Sequence, residues 1–345
     1  MTKETILITG VTGYIGFKVL RIALLQGYRV RGVVRKKEQI SKIKSHPLMN
    51  GLTDGVEFVV IPDLCKSGAF DPVLDGISVI IHLASPLAKE TNDYSRDIVQ
   101  PPLDMESSLL ESALNAPSVR RVVITSSAVT LIPLTWLASS DVDTVFTSQD
   151  LNTETAPPYR NAMEAYWASK ALARKHVHEF LSQKKPHFDI IQLLPSVVLG
   201  PDDWATNLET FFVGTRAMIM PIVQGKVMEA PLVGVPVLVD DVALAHVDAI
   251  KPSVPGNKDY ILSSDTPDGI EWDSILDIAQ QHFLHEVESG LLQCTGALPT
   301  RRWKLDASDS EKAFGWKFTS FEDTTRKQLQ QYITLAKDSG ASLRG

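Results

Sequence analysis

Residues 5–16 of the chain, TILITGVTGYIG, place three glycines directly after a short apolar run. The run predicts a buried strand, and apolar residues on one face of Tyr14–Gln26 predict the helix that follows. Gly10 permits a tight turn, Gly13 lets backbone amides approach a pyrophosphate, and Gly16 allows close helix–strand packing. The helix N-terminus adds oriented N–H groups and positive potential. Because the glycines lie between a strand and a helix, we predict a dinucleotide-binding turn. Its residues are Gly10, Thr12, Gly13, Tyr14, Ile15 and Gly16.

The first half of the chain alternates strand-like and helical patterns. Apolar runs predict strands at Thr5–Thr9, Arg29–Val34, Val56–Ile61, Ser78–Leu83, Arg121–Ser126 and Asp189–Leu194. Helical patterns occupy Tyr14–Gln26, Asp97–Asn115 and Asn161–Leu181. Solidly apolar strands are typical of parallel sheets covered on both faces. The repetition predicts an α/β fold, a doubly wound parallel sheet of the Rossmann type.

The pattern changes after Pro195, where prolines and glycines become frequent. We therefore predict a dinucleotide-binding Rossmann domain over residues 1–194. Part of 237–262 is expected to return to this domain. Most of 195–345 is expected to form a smaller C-terminal substrate-binding lobe.

Composition narrows the class of protein. The formal charge of −7, without a basic stripe, argues against a nucleic-acid partner. The two cysteines, Cys65 and Cys294, form no metal-binding spacing, so we expect no metal site and no disulfide framework. No signal-peptide pattern or membrane-length apolar run is visible, which predicts a cytoplasmic protein without a membrane partner. Either a monomer or a homodimer is compatible with the sequence.

The end of the second predicted strand indicates which dinucleotide binds. An NAD-specific site usually has Asp or Glu there, to accept a hydrogen bond from the ribose 2′-hydroxyl. This chain has Arg35, which would pair with a 2′-phosphate and favours NADP(H), with Lys36 or Lys42 as helpers. Asp63 is placed to meet the adenine amino group, although a turn-making role after Pro62 competes with that interpretation. Further cofactor contacts are predicted at Leu64, Leu83, Ala84 and Ser85.

Tyr166 and Lys170 lie four residues apart, on one face of a predicted helix. A phenol has an ordinary pKa of about 10, and a nearby ammonium would lower it towards the operating range. The strand end at Ser126 and Ser127 offers a hydroxyl for the substrate oxygen. Tyrosine and lysine at this spacing are usually structural, but together with the glycine turn and the serine strand end they indicate a catalytic set.

With these motifs, the chain resembles the extended short-chain dehydrogenase/reductase family, and within it the dihydroflavonol-reductase-like and fungal ketoreductase branch. The resemblance covers nearly the whole chain. It depends on the motifs at residues 9–16, 34–35, 82–86, 125–128, 166–170, 194–201 and 239–243. It implies Ser127 as the partner of the substrate oxygen, Tyr166 as proton donor and Lys170 as its activator. It also implies that Pro195 and Val198 border the nicotinamide, and that Ser127 rather than Ser126 is catalytic.

The chain departs from the family pattern at several places. Val129–Ile132 replaces a small Gly-Thr pair, Trp136–Gln149 resembles an insertion, and Pro102–Ser107 lacks the Gly-Thr often found in that helix. These departures concern the identity of the substrate more than the chemistry. Candidate walls for a largely hydrophobic substrate are Pro86, Leu87, Thr130, Tyr159, Trp204, Phe211, Phe212 and Met218.

The leading hypothesis is NADPH-dependent reduction of a small-molecule ketone or aldehyde to an alcohol. Two alternatives remain open. One is a nucleotide-sugar epimerase or dehydratase on the same scaffold, and the other is a non-catalytic NADP(H)-binding sensor.

Overall fold

The computed structural model describes residues 4–86, 88–264 and 268–340. The strands are β1 (Thr5–Thr9), β2 (Arg29–Val34), β3 (Val56–Val60), β4 (Val79–His82), β5 (Arg121–Thr125), β6 (Val145–Phe146), β7 (Asp189–Pro195), β8 (Val197–Leu199), β9 (Leu232–Val233), β10 (Pro236–Leu238), β11 (Lys258–Leu262), β12 (Thr300–Arg301) and β13 (Lys304–Leu305). The α-helices are α1 (Tyr14–Leu25), α2 (Glu38–Lys44), α3 (Gln100–Leu114), α4 (Leu134–Leu137), α5 (Ala162–Lys184), α6 (Leu208–Phe211), α7 (Arg216–Ile219), α8 (Val239–Asp248), α9 (Ser274–His282), α10 (Leu284–Glu288), α11 (Ser308–Phe314) and α12 (Phe321–Asp338).

The main sheet has seven strands in the order β11-β7-β5-β4-β1-β2-β3. The pairs from β7 to β3 are all parallel. β1 lies at the centre, and its residues Ile6, Leu7 and Ile8 are completely buried, as expected for a strand covered on both faces. The predicted doubly wound α/β fold is confirmed. The six predicted strands correspond to β1–β5 and β7, whereas β11 was not predicted as a strand.

The chain divides into two compact units. The first comprises Met1–Ala138, Ser148–Leu194 and Ala243–Tyr260, and the second comprises Ser139–Thr147, Pro195–Val242 and Ile261–Gly345. The prediction of one continuous domain over 1–194 is wrong for Ser139–Thr147. This segment belongs to the second unit because its strand β6 pairs in parallel with β13. A two-residue strand has no periodicity by which the sequence could reveal it.

α3 begins after a π-helical turn at Ser95–Val99. Pro101 and Pro102 lie in its first turn, as predicted, where a missing N–H costs little. Within the described residues, no helix combines the length and apolarity that crossing a bilayer requires.

Candidate functional site

The glycine turn between β1 and α1 is built so tightly that two of its positions have no room for a side chain. Gly10 has φ +73°, and a Cβ on it would lie 2.9 Å from the Ala84 amide nitrogen. A Cβ on Gly16 would lie 2.0 Å from the Gly10 carbonyl oxygen. Gly13 caps α1 without a side-chain hydrogen bond, and the first turn of α1 contains no acidic residue. The N-terminal amides of α1 are therefore compatible with an anionic group.

Thr9 connects this turn to the end of β4. Its Oγ1 accepts hydrogen bonds from the amides of Leu83 and Ala84, both at 3.1 Å. The same Oγ1 lies 3.0 Å from His82 Nδ1. Burial, with the nearby Lys170 charge as a smaller cause, lowers the pKa of His82 to about 3, so the ring is neutral. Because Thr9 already accepts two N–H groups, its hydroxyl proton points to Nδ1, and we assign the Nε2–H tautomer.

α5 brings the predicted tyrosine and lysine together with the predicted serine. The helix begins where Asn161 Oδ1 accepts a hydrogen bond from the Glu164 amide at 2.9 Å. The Ser127 side chain lies near enough to the Tyr166 phenol to lower its pKa by hydrogen bonding. One turn later, Lys170 Nζ donates to Ser85 Oγ at 2.9 Å. Hydrogen bonds therefore connect the end of β1 to the loop after β4 and that loop to Lys170, and Tyr166 and Ser127 lie beside this lysine and beside each other.

The two serines after β5 have different surroundings. Ser126 is buried, and its amide continues the sheet by donating to the Leu193 carbonyl at 2.8 Å. Ser127 is half-buried and is the one whose side chain meets Tyr166. The geometry therefore favours Ser127 over Ser126 for contact with a substrate oxygen.

The pKa of Tyr166 differs from the sequence expectation. Burial is the largest influence and raises the pKa of Tyr166, while the hydrogen bond with Ser127 opposes the rise. The expected lowering by Lys170 is not observed, although Lys170 Nζ lies 5.9 Å from the centre of the Tyr166 ring. Burial also lowers the pKa of Lys170, which weakens the effect of its charge. Removal from water thus outweighs the attraction between the ammonium and a phenolate.

Arg174 fixes the position of α5 and was not predicted. It lies one turn after Lys170, is 1% exposed, and its Nε donates to Asp259 Oδ2 on β11 at 2.7 Å. Its Nη1 also donates to Thr130 Oγ1 at 3.2 Å, and that hydroxyl donates to the Ser127 carbonyl at 2.8 Å. Arg174 therefore ties the helix of Tyr166 to the loop of Ser127. The spacing of four residues from Lys170 is the only sequence signal for this role.

Glu106 is a second unpredicted member of this region. It lies on α3, is 8% exposed, and no described residue donates a hydrogen bond to its Oε2. Burial raises the pKa of the Glu106 carboxyl to about 7, and the Lys170 ammonium opposes the rise. A buried carboxyl thus lies within electrostatic range of the lysine.

The predicted cofactor residues that follow β2 and β3 differ in their exposure and in their hydrogen bonds. Arg35 is exposed directly after β2, where its amide donates to Gln39 Oε1 at 3.0 Å. Lys42 is exposed in the last turn of α2. Asp63 Oδ1 accepts a hydrogen bond from the Cys65 amide at 2.9 Å, so the turn-making role is present. Leu64 is buried in the core, which leaves its backbone as the part able to contact a ligand.

Several predicted lining residues belong to the second unit or to the core. Pro195 and Val198 are in the second unit, and Val198 is buried in β8, which pairs with β10. Among the candidate substrate walls, Thr130 and Phe211 are completely buried, so both are core residues rather than walls. Leu87 lies outside the described residues.

The residues of the first unit fit a nicotinamide dinucleotide. The glycine turn has no room for side chains at Gly10 and Gly16, and the first turn of α1, which follows it, contains no acidic residue that would repel a phosphate. Arg35 supplies a positive charge at the end of β2. No group of three or more His, Cys, Asp or Glu side chains that could hold a metal ion occurs in the described parts of the chain.

Comparison with known proteins agrees with this fit. Residues 6–260 match the family model described as NAD dependent epimerase/dehydratase family. The chain belongs to this family. These are the extended short-chain dehydrogenase/reductases that the motifs predicted, so the predictions of the family and of an oxidoreductase that uses a nicotinamide dinucleotide are confirmed.

Individual relatives match this chain over nearly its whole length and nearly the whole of their own. Ketoreductase CTB6 of Cercospora nicotianae is 34% identical over 356 residues, which cover 99% of each chain. Ketoreductase sphI of Aspergillus fumigatus is 28% identical over 97% of this chain and 99% of its own. The structure of yeast methylglyoxal/isovaleraldehyde reductase Gre2 complexed with NADPH superposes with a TM-score of 0.79 at 24% identity. That comparison covers 97% of this chain and 99% of Gre2.

Proposed function

We propose that the protein reduces a ketone or aldehyde to an alcohol with NADPH, and that Tyr166 donates the proton. The observation that carries the proposal is the grouping of Tyr166, Lys170 and Ser127 beside the loop after β4, where Lys170 Nζ donates to Ser85 Oγ at 2.9 Å. The curated relatives named ketoreductase and the NADPH complex of Gre2 support the same activity.

The residues would divide the binding of the cofactor among them. The amides of the glycine turn and of the first turn of α1 would hold the pyrophosphate. Arg35 would pair with the 2′-phosphate, with Lys42 as a helper. Lys170 and the loop from Leu83 to Ser85 would contact the nicotinamide half of the dinucleotide. When bound, NADPH supplies the hydride that the carbonyl carbon accepts.

The proton-transfer step falls to three side chains. The Ser127 hydroxyl donates a hydrogen bond to the carbonyl oxygen and holds it beside Tyr166. Tyr166 then transfers its phenolic proton to that oxygen as negative charge develops on it, which yields the alcohol. Because burial raises its pKa, Tyr166 is protonated at neutral pH, which is the state that a proton donor requires. The Lys170 ammonium lies beside the ring and stabilises the phenolate that remains.

The substrate is proposed to be a small and largely hydrophobic carbonyl compound. Pro86 and Tyr159 are partly buried candidates for its walls in the first unit. The Tyr159 hydroxyl donates to the Thr155 carbonyl at 2.8 Å, so this side chain presents mainly its ring.

A spectrophotometric screen tests the activity. Purified protein is supplied with NADPH or NADH and with aromatic ketones, β-keto esters and aldehydes. We expect oxidation of NADPH, faster than that of NADH, with at least one class. Protein that retains bound NAD and ignores added NADPH would instead support an epimerase or dehydratase. Binding of NADPH without oxidation across the panel would support a sensor.

A further inference from the structure

Glu106 occupies an unusual place for a carboxylic acid. It is nine-tenths buried on α3, a helix that packs on α5 and on the π-helical turn before it. Burial of an ionisable carboxyl without a hydrogen-bond partner is costly, so such a group requires a compensating interaction. It also lies in the segment Pro102–Ser107, where the sequence departs from the family pattern.

The opposite charge that acts on Glu106 is Lys170, on the helix α5 that packs against α3. Glu106 and Lys170 interact electrostatically across the contact between α3 and α5, and each favours the charged form of the other. Lys170 is itself 8% exposed, and its Nζ donates to Ser85 Oγ. In such a weakly solvated region the attraction between opposite charges is stronger than at the surface.

Several other polar groups around α3 have their own hydrogen bonds, whereas the buried Ser112 Oγ on the same helix has no partner among the described residues. Cys65 Sγ donates to the Pro101 carbonyl, and Ser107 Oγ pairs with His176 Nε2 at 3.0 Å. On the helix itself, Asp104 accepts from Gln100. Further titratable groups of the surrounding elements include neutral His82 on β4 and Asp63, which accepts from the Cys65 amide. In the π-helical turn, Arg96 pairs with Asp97. On α5, Glu164 pairs with Arg160, Arg174 with Asp259 and Lys175 with Glu179.

We infer that Glu106 is the counter-ion of Lys170 and acts on the proposed reduction as a positioning residue, by keeping the ammonium protonated and directed at Ser85. The inference rests on the proposed function for its catalytic consequence. The charge coupling itself does not depend on that function. A carboxylate suits this role because its negative charge favours the charged form of a nearby ammonium.

A double-mutant cycle tests the coupling without any assay of activity. Glu106→Gln, Lys170→Met and the double variant are unfolded in urea at pH 8, where Glu106 is ionised. We expect the effects of the two substitutions to be non-additive. The factor by which Glu106→Gln changes the unfolding equilibrium constant should differ about 2- to 100-fold between the wild-type background and the Lys170→Met background. Glu111→Gln, an exposed position on the same helix, serves as the control and should be additive with Lys170→Met. Additive behaviour of the Glu106 pair would overturn the inference.

The pH profile of kcat/KM tests the positioning role. In Glu106→Gln the ammonium loses its counter-ion and deprotonates at lower pH, so the alkaline fall in activity should begin at least about half a pH unit earlier. The NADPH dissociation constant should rise over the same pH range. Glu106→Asp, which keeps the charge, should restore the profile, and Glu111→Gln should match the wild type.

The outcomes separate this inference from the proposed function. An unchanged profile in a folded and active Glu106→Gln variant would overturn the positioning role, even if the cycle showed coupling. If the wild type reduced no carbonyl compound, the proposed function would fail, and the cycle together with the NADPH titration would still decide the role of Glu106.

Discussion

Thr9 holds two strand ends together through one hydroxyl group. It accepts from the Leu83 and Ala84 amides and lies beside neutral His82. The sequence could not reveal this role, because one threonine at a strand end has no periodic signal and its partners are more than seventy residues away. Tyr166, Lys170 and Ser127 could be predicted because their motifs follow the strand and helix pattern.

The burial of individual charged residues was the property that the sequence predicted least. Glu106 and Arg174 both lie in helices, where a lone charged residue usually faces solvent. Only the packing of α5 against its neighbours shows that both are buried beside the site. The same burial explains why the pKa of Tyr166 is raised rather than lowered.

Arg35 carries the proposed preference for a 2′-phosphate. Replacement by alanine removes a charged hydrogen-bond donor, so we expect the NADPH dissociation constant to rise about tenfold to hundredfold, as measured by fluorescence titration. The NADH dissociation constant should change little, because NADH has no 2′-phosphate. Lys37→Ala, at an exposed neighbouring position, is the matched control. Equal losses for NADPH and NADH would contradict the assignment.

At the scale of elements, long apolar runs were predicted well and short strands were not. β1, β2 and α1 have the predicted positions to within one residue, because several residues contribute to each pattern. β6 and β13 contain two residues each and exist only because they pair with each other. Ser139–Thr147 therefore belongs to the second unit because β6 pairs with β13. The local sequence around β6 does not indicate this pairing.

The junction of β1 and α1 gives a steric prediction. Gly16→Ala would place a Cβ 2.0 Å from the Gly10 carbonyl oxygen, whereas Gly13→Ala would place one at 3.3 Å from the same atom. We expect Gly16→Ala to lower the free energy of unfolding by about 1–3 kcal/mol, as overpacking does, and to weaken NADPH binding. Gly13→Ala should lower stability less. Urea unfolding of both variants measures the difference, and equal losses would show that the helix does not pack on the turn as described.

At the scale of the whole molecule, the buried ionisable groups of the first unit make stability depend on pH. His82 has a folded-state pKa of about 3, against about 6.5 for an unfolded histidine. Below pH 6.5 the unfolded chain therefore binds a proton that the folded chain does not. The stability contributed by neutral His82 is present above pH 6.5 and is lost as the pH falls towards 3.

The size of this effect can be measured. Between pH 6.5 and 4, His82 should contribute a loss of up to about 1.4 kcal/mol in the free energy of unfolding for each pH unit. His82→Asn lowers stability at neutral pH by disturbing the contact with Thr9, but it should flatten the pH dependence. Urea unfolding at several pH values gives both slopes. Parallel slopes for the variant and the wild type would mean that His82 is not buried in its neutral form.

The proposed carbonyl reduction depends on the phenol of Tyr166 as its proton donor. The most direct measurement compares kcat/KM for Tyr166→Phe and the wild type on a carbonyl substrate found by the NADPH screen, with NADPH affinity measured on the same samples. Loss of a general acid predicts a fall of about 10²- to 10⁴-fold in kcat/KM, with the NADPH dissociation constant and the unfolding midpoint nearly unchanged. A folded variant that binds NADPH and retains the wild-type kcat/KM would contradict it.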